Sequence, residues 1–199
     1  MPGGWLLGCV RGKVSIQFSR REAIGIGAAT ALGLGSTLAA KASTAYDIDT
    51  GVGATLDSFY RRGPWSTGFA HRSAGILVFP TIVKAGFGFG GEYGEGSLLI
   101  RGRPAEYYNT VSASFGFQLG AQARSVIIMF MTPDALESFR MKDGWKVGVD
   151  GSVAIIAVGA GGAVDTNTIH SPIVGFIFDQ KGLMYNVTLE GSKISRIYR

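Results

Sequence analysis

Residues 84–96 have the sequence KAGFGFGGEYGEG, in which six glycines fall within the eleven residues 86–96. Glycines that alternate with aromatic side chains allow a strand to bend sharply, or allow another backbone to pack closely against it. We therefore expect a bent strand here, in which the glycines have a structural role: Gly86, Gly88, Gly90, Gly91, Gly94 and Gly96.

The flanking residues predict an antiparallel sheet. Residues 111–120 alternate apolar side chains with small or polar ones, which is the period of a half-buried antiparallel strand. Residues 76–79 predict a short buried strand that ends at Pro80, and residues 125–131 predict a strand buried on both faces. Other strands are expected at 97–101, 147–158, 173–179, 183–190 and 193–198, with a turn at 102–104.

Three helices are expected beside the sheet. Apolar residues at helical spacing predict a first helix over 45–60, capped by Asp47 or Asp49, and a second helix follows over 65–73. A third helix begins after Thr132 and runs to residue 141. The sequence therefore predicts an α+β fold: a single domain with an antiparallel, strongly curved sheet, N-terminal helices and one inserted helix.

Charge and composition exclude several classes of protein. Of the 19 basic and 14 acidic residues, residues 1–42 hold five and one, which leaves 14 and 13 in the remaining chain. This near-neutral body lacks the broad basic footprint of a nucleic-acid binder. With one cysteine, Cys9, and two histidines, His71 and His170, we expect no disulfide framework and no metal site.

The sequence offers no catalytic constellation. Residues 86–91 fit the letters G-x-G-x-x-G, but a dinucleotide site needs a helix to open at the last glycine. Glu92 and Glu95 follow instead, which would place carboxylates where a phosphate should bind. No acid, base and nucleophile converge in sequence, so we expect a protein that is not an enzyme and that carries no cofactor.

Residues 1–42 resemble an export signal. Arg20 and Arg21 precede the uncharged apolar run 23–40, and Ala40-Lys41-Ala42 supplies an A-x-A cleavage pattern. The paired arginines indicate the twin-arginine route, and synthesis from Val14 would leave the same signal with a shorter charged region. We expect a periplasmic or cell-envelope protein; the alternative is an inner-membrane protein anchored through the uncleaved signal. Ser43-Thr44-Ala45 is a second possible cleavage pattern.

Several blocks along the body resemble the SYLF domain family: GILVFP at 75–80, GGEYGEG at 90–96, SFGFQLGAQ at 114–122 and LEGSKI at 189–194. The resemblance defines a SYLF-like domain at residues 46–199. It implies binding to phosphoinositide membranes, as in eukaryotic members, and actin binding, as in some yeast members. With its export signal the chain is similar to the bacterial exported branch of the family. An exported protein meets no cytosolic actin, and phosphoinositides are scarce in bacteria, so anionic lipid is the ligand we expect.

Two functions follow from these observations. The first is non-enzymatic binding of anionic membrane lipid by an exported cell-envelope protein, and the second is a periplasmic structural or protein-interaction module without a lipid ligand. Basic residues at the end of the first helix would contact headgroups if that helix lies at a membrane interface; alternatively its apolar face packs on the sheet. Basic residues around the glycine segment would form an anion pocket, or are solvated surface cations. The candidate lipid-binding residues are thus Arg61, Arg62, Lys84, Arg101 and Arg103.

The paired arginines generate a first prediction. Changing Arg20 and Arg21 to Lys keeps the charge but removes the guanidinium pair that marks the twin-arginine route. We expect the precursor to accumulate in the cytoplasm, as measured by cell fractionation and immunoblotting against the unchanged chain. Mature-size protein that reaches the periplasm at the normal rate would contradict this route.

Overall fold

The computed structural model describes residues 43–158, 170–181 and 189–199. The export signal predicted at 1–42 and most of the strand predicted at 183–190 lie outside the described residues. Within the described ranges the elements are α1 (Ala45–Tyr60), α2 (Pro64–Arg72), β1 (Gly75–Ile100), β2 (Arg103–Phe130), α3 (Pro133–Met141), β3 (Trp145–Lys146), β4 (Ala154–Ala157), β5 (Ile173–Lys181) and β6 (Lys193–Ile197).

The strands of the described residues form one sheet, which is built around β2. The order is β3-β6-β2-β5-β4, and β1 also pairs with β2. Every pairing is antiparallel except that of β4 with β5, which is parallel. The predicted α+β class is confirmed, with a sheet that is antiparallel apart from this last pair.

β1 continues through Pro80, so the strand end predicted there is wrong. β1 and β2 pair from Gly75↔Phe130 to Ile100↔Arg103, and a register shift lies between Phe79 and Ile82. Proline lacks an N–H and is tolerated in a sheet where the ladder is interrupted by such a bulge. The Pro80 carbonyl accepts a hydrogen bond from Ser125 Oγ at 2.8 Å, which holds the bulge against β2.

The turn between β1 and β2 consists of Arg101 and Gly102, one or two residues earlier than predicted. Arg101 has φ 52° and Gly102 has φ 74°. Two consecutive residues with positive φ are the geometry of the tight hairpin turn whose twist matches that of its strands. Arg101 therefore lies at the tip of the hairpin.

The long β1–β2 hairpin doubles back on itself, as the glycine segment predicted. A Cβ added at Gly96 would overlap the Val78 carbonyl oxygen, and one at Gly94 would lie 2.9 Å from the Thr81 carbonyl oxygen. The second half of β1 therefore crosses the first half with the two backbones in direct contact. Neither Gly94 nor Gly96 has positive φ, so glycine is required at both positions for space.

The apolar side chains pack on both faces of the doubled sheet. One cluster holds Leu77, Phe79 and Leu98 of β1 together with Phe139 of α3 and Trp145 of β3. The other cluster packs α1 and α2 against the opposite face, through Ile48, Val52, Phe59, Phe69, Val78 and Phe176. Residues 125–130 are buried along their whole length, which confirms the strand predicted to be buried on both faces.

Side-chain caps fix where the helices begin. Thr44, and not Asp47 or Asp49, caps α1: its Oγ1 accepts from Asp47 N at 3.2 Å, while Asp47 Oδ2 accepts from Thr44 N at 3.1 Å. This reciprocal pair satisfies two amide groups that a helix start leaves open. Thr132 caps α3 as predicted, since its Oγ1 accepts from Ala135 N at 3.2 Å.

The backbone crossing generates a second prediction. Gly96→Ala forces a methyl group into the Val78 carbonyl, so we expect a loss of about 2 kcal/mol or more in the free energy of unfolding. In a domain of this size that corresponds to a fall of about 4–8 °C in Tm, measured by circular dichroism.

Gly91→Ala is the matched control for this change. The nearest atom to a Cβ at Gly91 is the Ser112 carbonyl oxygen at 3.7 Å, an ordinary contact, so its Tm should change by little. Equal melting temperatures for the two alanine variants would contradict a packing role for Gly96.

Candidate functional site

A pocket of about 900 Å³ lies where the two ends of β1 meet. It is bordered by the hairpin turn, the start of β1, the end of α2, and by α3 and β6. Its apolar lining includes Ile76, Leu99, Ile100, Leu136 and Met141. Its charged or titratable lining consists of His71, Arg101, Glu106, Glu137, Arg140 and Arg196.

Glu106 organises the polar wall of this pocket. Arg140 of α3 donates to both carboxylate oxygens, at 2.8 Å and 3.3 Å. Arg196 of β6 places Nη2 3.1 Å from Oε1, and the Tyr108 hydroxyl donates to Oε2 at 2.6 Å. A single carboxylate of β2 therefore holds α3 and β6 in position.

This wall has a fixed protonation state near neutral pH. The hydrogen bond from Arg140 lowers the pKa of Glu106 below its ordinary value, against the opposing effect of burial. Burial, reinforced by the Glu106 carboxylate, raises the pKa of Tyr108 to about 12. Glu106 thus stays ionised and Tyr108 stays neutral, and the three arginines of the lining exceed its two carboxylates by one positive charge.

Arg101 supplies the cation that Glu106 does not neutralise. It is exposed at the tip of the hairpin, and among the described residues no hydrogen bond or ion pair holds its guanidinium. Arg103 is also exposed, two residues further along, but it does not line the pocket. Of the residues predicted around the glycine segment, only Arg101 therefore enters this pocket.

Lys84 lies apart from the pocket, in a buried ion cluster near the bend. Its Nζ is 3.5 Å from Glu92 Oε1, and Arg124 Nη2 is 2.6 Å from Glu92 Oε2. The side chains of Lys84, Glu92 and Arg124 are only 17%, 8% and 3% exposed. Lys84 is consequently engaged in this largely buried ion cluster, and the structure does not bring it together with Arg101 and Arg103.

Arg61 and Arg62 differ although they are adjacent. Arg62 pairs with Asp179 of β5 at 2.5 Å, and its Cζ lies 4.8 Å from the centre of the Phe178 ring. Arg61 is exposed at the end of α1. The apolar face of α1 packs on the sheet through Ile48, Val52 and Phe59. Arg62 links the end of α1 to β5, whereas Arg61 lies on the surface.

Sequence reasoning missed Glu106, Tyr108, Arg140 and Arg196. Glu106 and Tyr108 are two apart on a strand, which indicates one face, but Arg140 and Arg196 are 34 and 90 residues from Glu106. No local pattern reveals a partner at such separations.

Within the described ranges, no three His, Cys, Asp or Glu side chains group as a metal site, and no helix is long and apolar enough to cross a membrane.

The doubled hairpin with its helices defines an α+β domain whose pocket is both cationic and apolar. Residues 111–197 match the family model of Ysc84, described as a Las17-binding protein actin regulator. The match places this segment in the SYLF family and confirms the resemblance, whereas the bacterial exported branch stays a prediction. The matched segment includes Arg140 and Arg196 of the pocket. No curated protein matches the chain.

The Glu106 network generates a third prediction. Because the pKa of Glu106 is lowered by folding, its contribution to stability is present above the ordinary carboxyl pKa and is lost as the pH falls through the lowered value. Glu106→Gln should cost about 1.5–3 kcal/mol at pH 7, the usual range for hydrogen bonds to a charged group. Urea unfolding at several pH values should show this cost shrinking as the pH falls below the ordinary carboxyl pKa.

Glu137→Gln is the control, since Glu137 also lines the pocket but makes no ion pair within the described part of the chain. Its effect on the free energy of unfolding should be small at each pH. A cost for Glu106→Gln that does not shrink as the pH falls below the ordinary carboxyl pKa would show that its ionised form is not what stabilises the fold.

Proposed function

We propose that this protein binds anionic membrane lipid without catalysing a reaction, in the periplasm or cell envelope after export, and that the pocket takes the headgroup. The wider SYLF family is linked to lipid and actin binding. The observation that carries the proposal is the combination of an uncommitted arginine, Arg101, with an apolar lining in a single pocket. An anionic amphiphile is the ligand class that uses both features.

The rim of the pocket suits a membrane interface. Met141 lines the pocket and is 80% exposed, so the rim carries an apolar side chain that a membrane could contact. An exposed apolar side chain close to a cation can enter the acyl boundary while the cation contacts headgroups. A cation near an anionic surface contributes about 1 kcal/mol to binding.

The bonding of the pocket residues supports a binding role and not a catalytic one. Glu106 is held ionised by Arg140 and Arg196, so it is not poised as a proton donor. The Ser73 hydroxyl donates to the Ala70 carbonyl at 2.8 Å and is thereby engaged in ending α2. A hydroxyl nucleophile needs an adjacent general base, and the Ser73 hydroxyl is used for a backbone contact instead.

The packing of α1 favours the pocket over the helix as the lipid site. An interfacial helix keeps its apolar face free for the bilayer, whereas that of α1 is covered by the sheet. The apolar side chains that could contact a bound lipid are therefore those that line the pocket beside Arg101, and not those of α1.

The fourth prediction compares three exposed arginines. We choose Asp as the replacement because Asp tolerates the positive φ of Arg101. Arg101→Asp reverses one charge, equivalent to about 2 kcal/mol, and should weaken binding to vesicles of phosphatidylcholine with phosphatidylglycerol by about twenty- to thirtyfold. Co-sedimentation measures the effect, which should diminish at high salt.

Arg61→Asp makes the same charge change at the end of α1, outside the pocket, and should alter vesicle binding by about threefold or less, because charges more than a Debye length from the surface are screened. Arg103→Asp also lies outside the pocket but is two residues from Arg101, so its effect should be intermediate. Lost binding in Arg61→Asp with normal binding in Arg101→Asp would assign the lipid site to the end of α1. A folded wild-type protein that ignores anionic vesicles would overturn the lipid proposal. If that protein is a dimer in light scattering, the interaction-module alternative is favoured.

A further inference from the structure

Glu95 of β1 accepts hydrogen bonds from residues at both ends of the domain. Its Oε2 accepts from the backbone N of Ser43 at 3.1 Å, and its Oε1 accepts from the Tyr93 hydroxyl at 2.6 Å and from Arg199 Nη2 at 2.5 Å. The Glu95 side chain is only 6% exposed. A buried carboxylate thus binds the main chain at the residue that directly follows the Ala40-Lys41-Ala42 pattern.

We propose that the chain is cleaved between Ala42 and Ser43, and that Glu95 binds the new α-ammonium group of Ser43 in the mature protein. The cleavage is a hydrolysis by an envelope endopeptidase that acts after A-x-A patterns. Water adds its hydroxyl to the Ala42 carbonyl carbon, the C–N bond breaks, and the Ser43 nitrogen leaves as an amine that takes up protons. The proposal rests on the export part of the proposed function and is independent of lipid binding.

The structure distinguishes this bond from the second pattern, Ser43-Thr44-Ala45. Cleavage after Ala45 would cut within the first turn of α1, which begins at that residue. It would also remove Thr44, whose side chain and backbone form the reciprocal cap with Asp47. Cleavage after Ala42 leaves the cap and the whole of α1 intact.

Glu95 compensates the charge that this cleavage creates. A positive charge two residues before a helix is unfavourable, because the helix N-terminus already carries a partial positive charge. Glu95 offsets it. Burial raises the pKa of Glu95, but the hydrogen bonds from Tyr93, Arg199 and Ser43 together lower the pKa below its ordinary value. The titratable groups facing Ser43 are Glu95 and Tyr93 of β1, Asp47 of α1 and Arg199 after β6.

The first test identifies the mature N-terminus. The full chain is expressed in a bacterium with an active twin-arginine route, recovered from the envelope fractions, and analysed by intact mass spectrometry. A mass that begins at Ser43 is expected. A protein that begins at Tyr46, or that is exported with its signal attached, overturns the inference while export stands. A chain that stays whole in the cytoplasm overturns both.

The second test measures the ion pair itself. An opposite charge at this distance raises the pKa of an amine, so the Ser43 α-ammonium should titrate at least about one pH unit higher in the mature wild type than in mature Glu95→Gln. Carbon-13 NMR of the reductively methylated protein reports this titration. Glu137→Gln is the control and should leave it unchanged. Equal titration in the wild type and Glu95→Gln overturns the pairing.

A third measurement tests the same ion pair by comparing the stability of the mature protein with that of the precursor. Because folding raises the pKa of this amine, the stability it adds is present below its unfolded value and is lost as the pH rises through the folded value. The precursor retained by Arg20→Lys with Arg21→Lys has no charge at Ser43. The Tm loss from Glu95→Gln should therefore be larger in the mature protein than in the precursor at pH 7, and the two losses should converge by about pH 10. Equal losses throughout would overturn the pairing.

Discussion

The backbone contact of Gly94 and Gly96 with residues 78–82 is the constraint on which the rest of the structure depends. Because neither glycine has a side chain, β1 can lie across its own first half, and β2 follows it along the whole length of the pairing. This doubling places Leu98 in the same apolar cluster as Leu77 and Phe79. It also brings the hairpin turn back beside the start of β1, and the pocket forms at that junction.

Ion pairs between buried and partly buried side chains hold this arrangement together. Glu92 binds two cations inside the bend, Glu106 joins β2 to α3 and β6, and Arg62 ties α1 to β5. Such internal pairing explains how the nearly neutral part of the chain after residue 42 can present a specific cation. What distinguishes Arg101 from the other exposed arginines, Arg61 and Arg103, is that its guanidinium lines the pocket.

The sequence predicted the elements that depend on local patterns of residues. It did not predict the contacts between residues that are distant in sequence. Apolar spacing located α1, the Thr132 cap located α3, and a continuous apolar run located the buried strand predicted at 125–131; the glycine spacing predicted the bend. The continuation of β1 through Pro80 was missed because a bulge depends on the partner strand. The Glu106 network was missed for a similar reason, since its partners become neighbours only after the hairpin doubles over. Family resemblance, confirmed at residues 111–197, carried information that no single pattern contained.

The two-residue turn at Arg101 and Gly102 has a kinetic consequence. β1 and β2 pair in register outward from this turn, so the most extensive strand pairing of the domain can form by successive short loop closures. The crossing of Gly96 over Val78 joins residues only 18 apart in sequence, on a strand that is already paired. Local closure of this kind favours rapid folding, which is unusual for a protein dominated by its sheet. We therefore expect the hairpin to assemble from its tip, with the pairing of β5 and β6 onto β2 as the slower, long-range step.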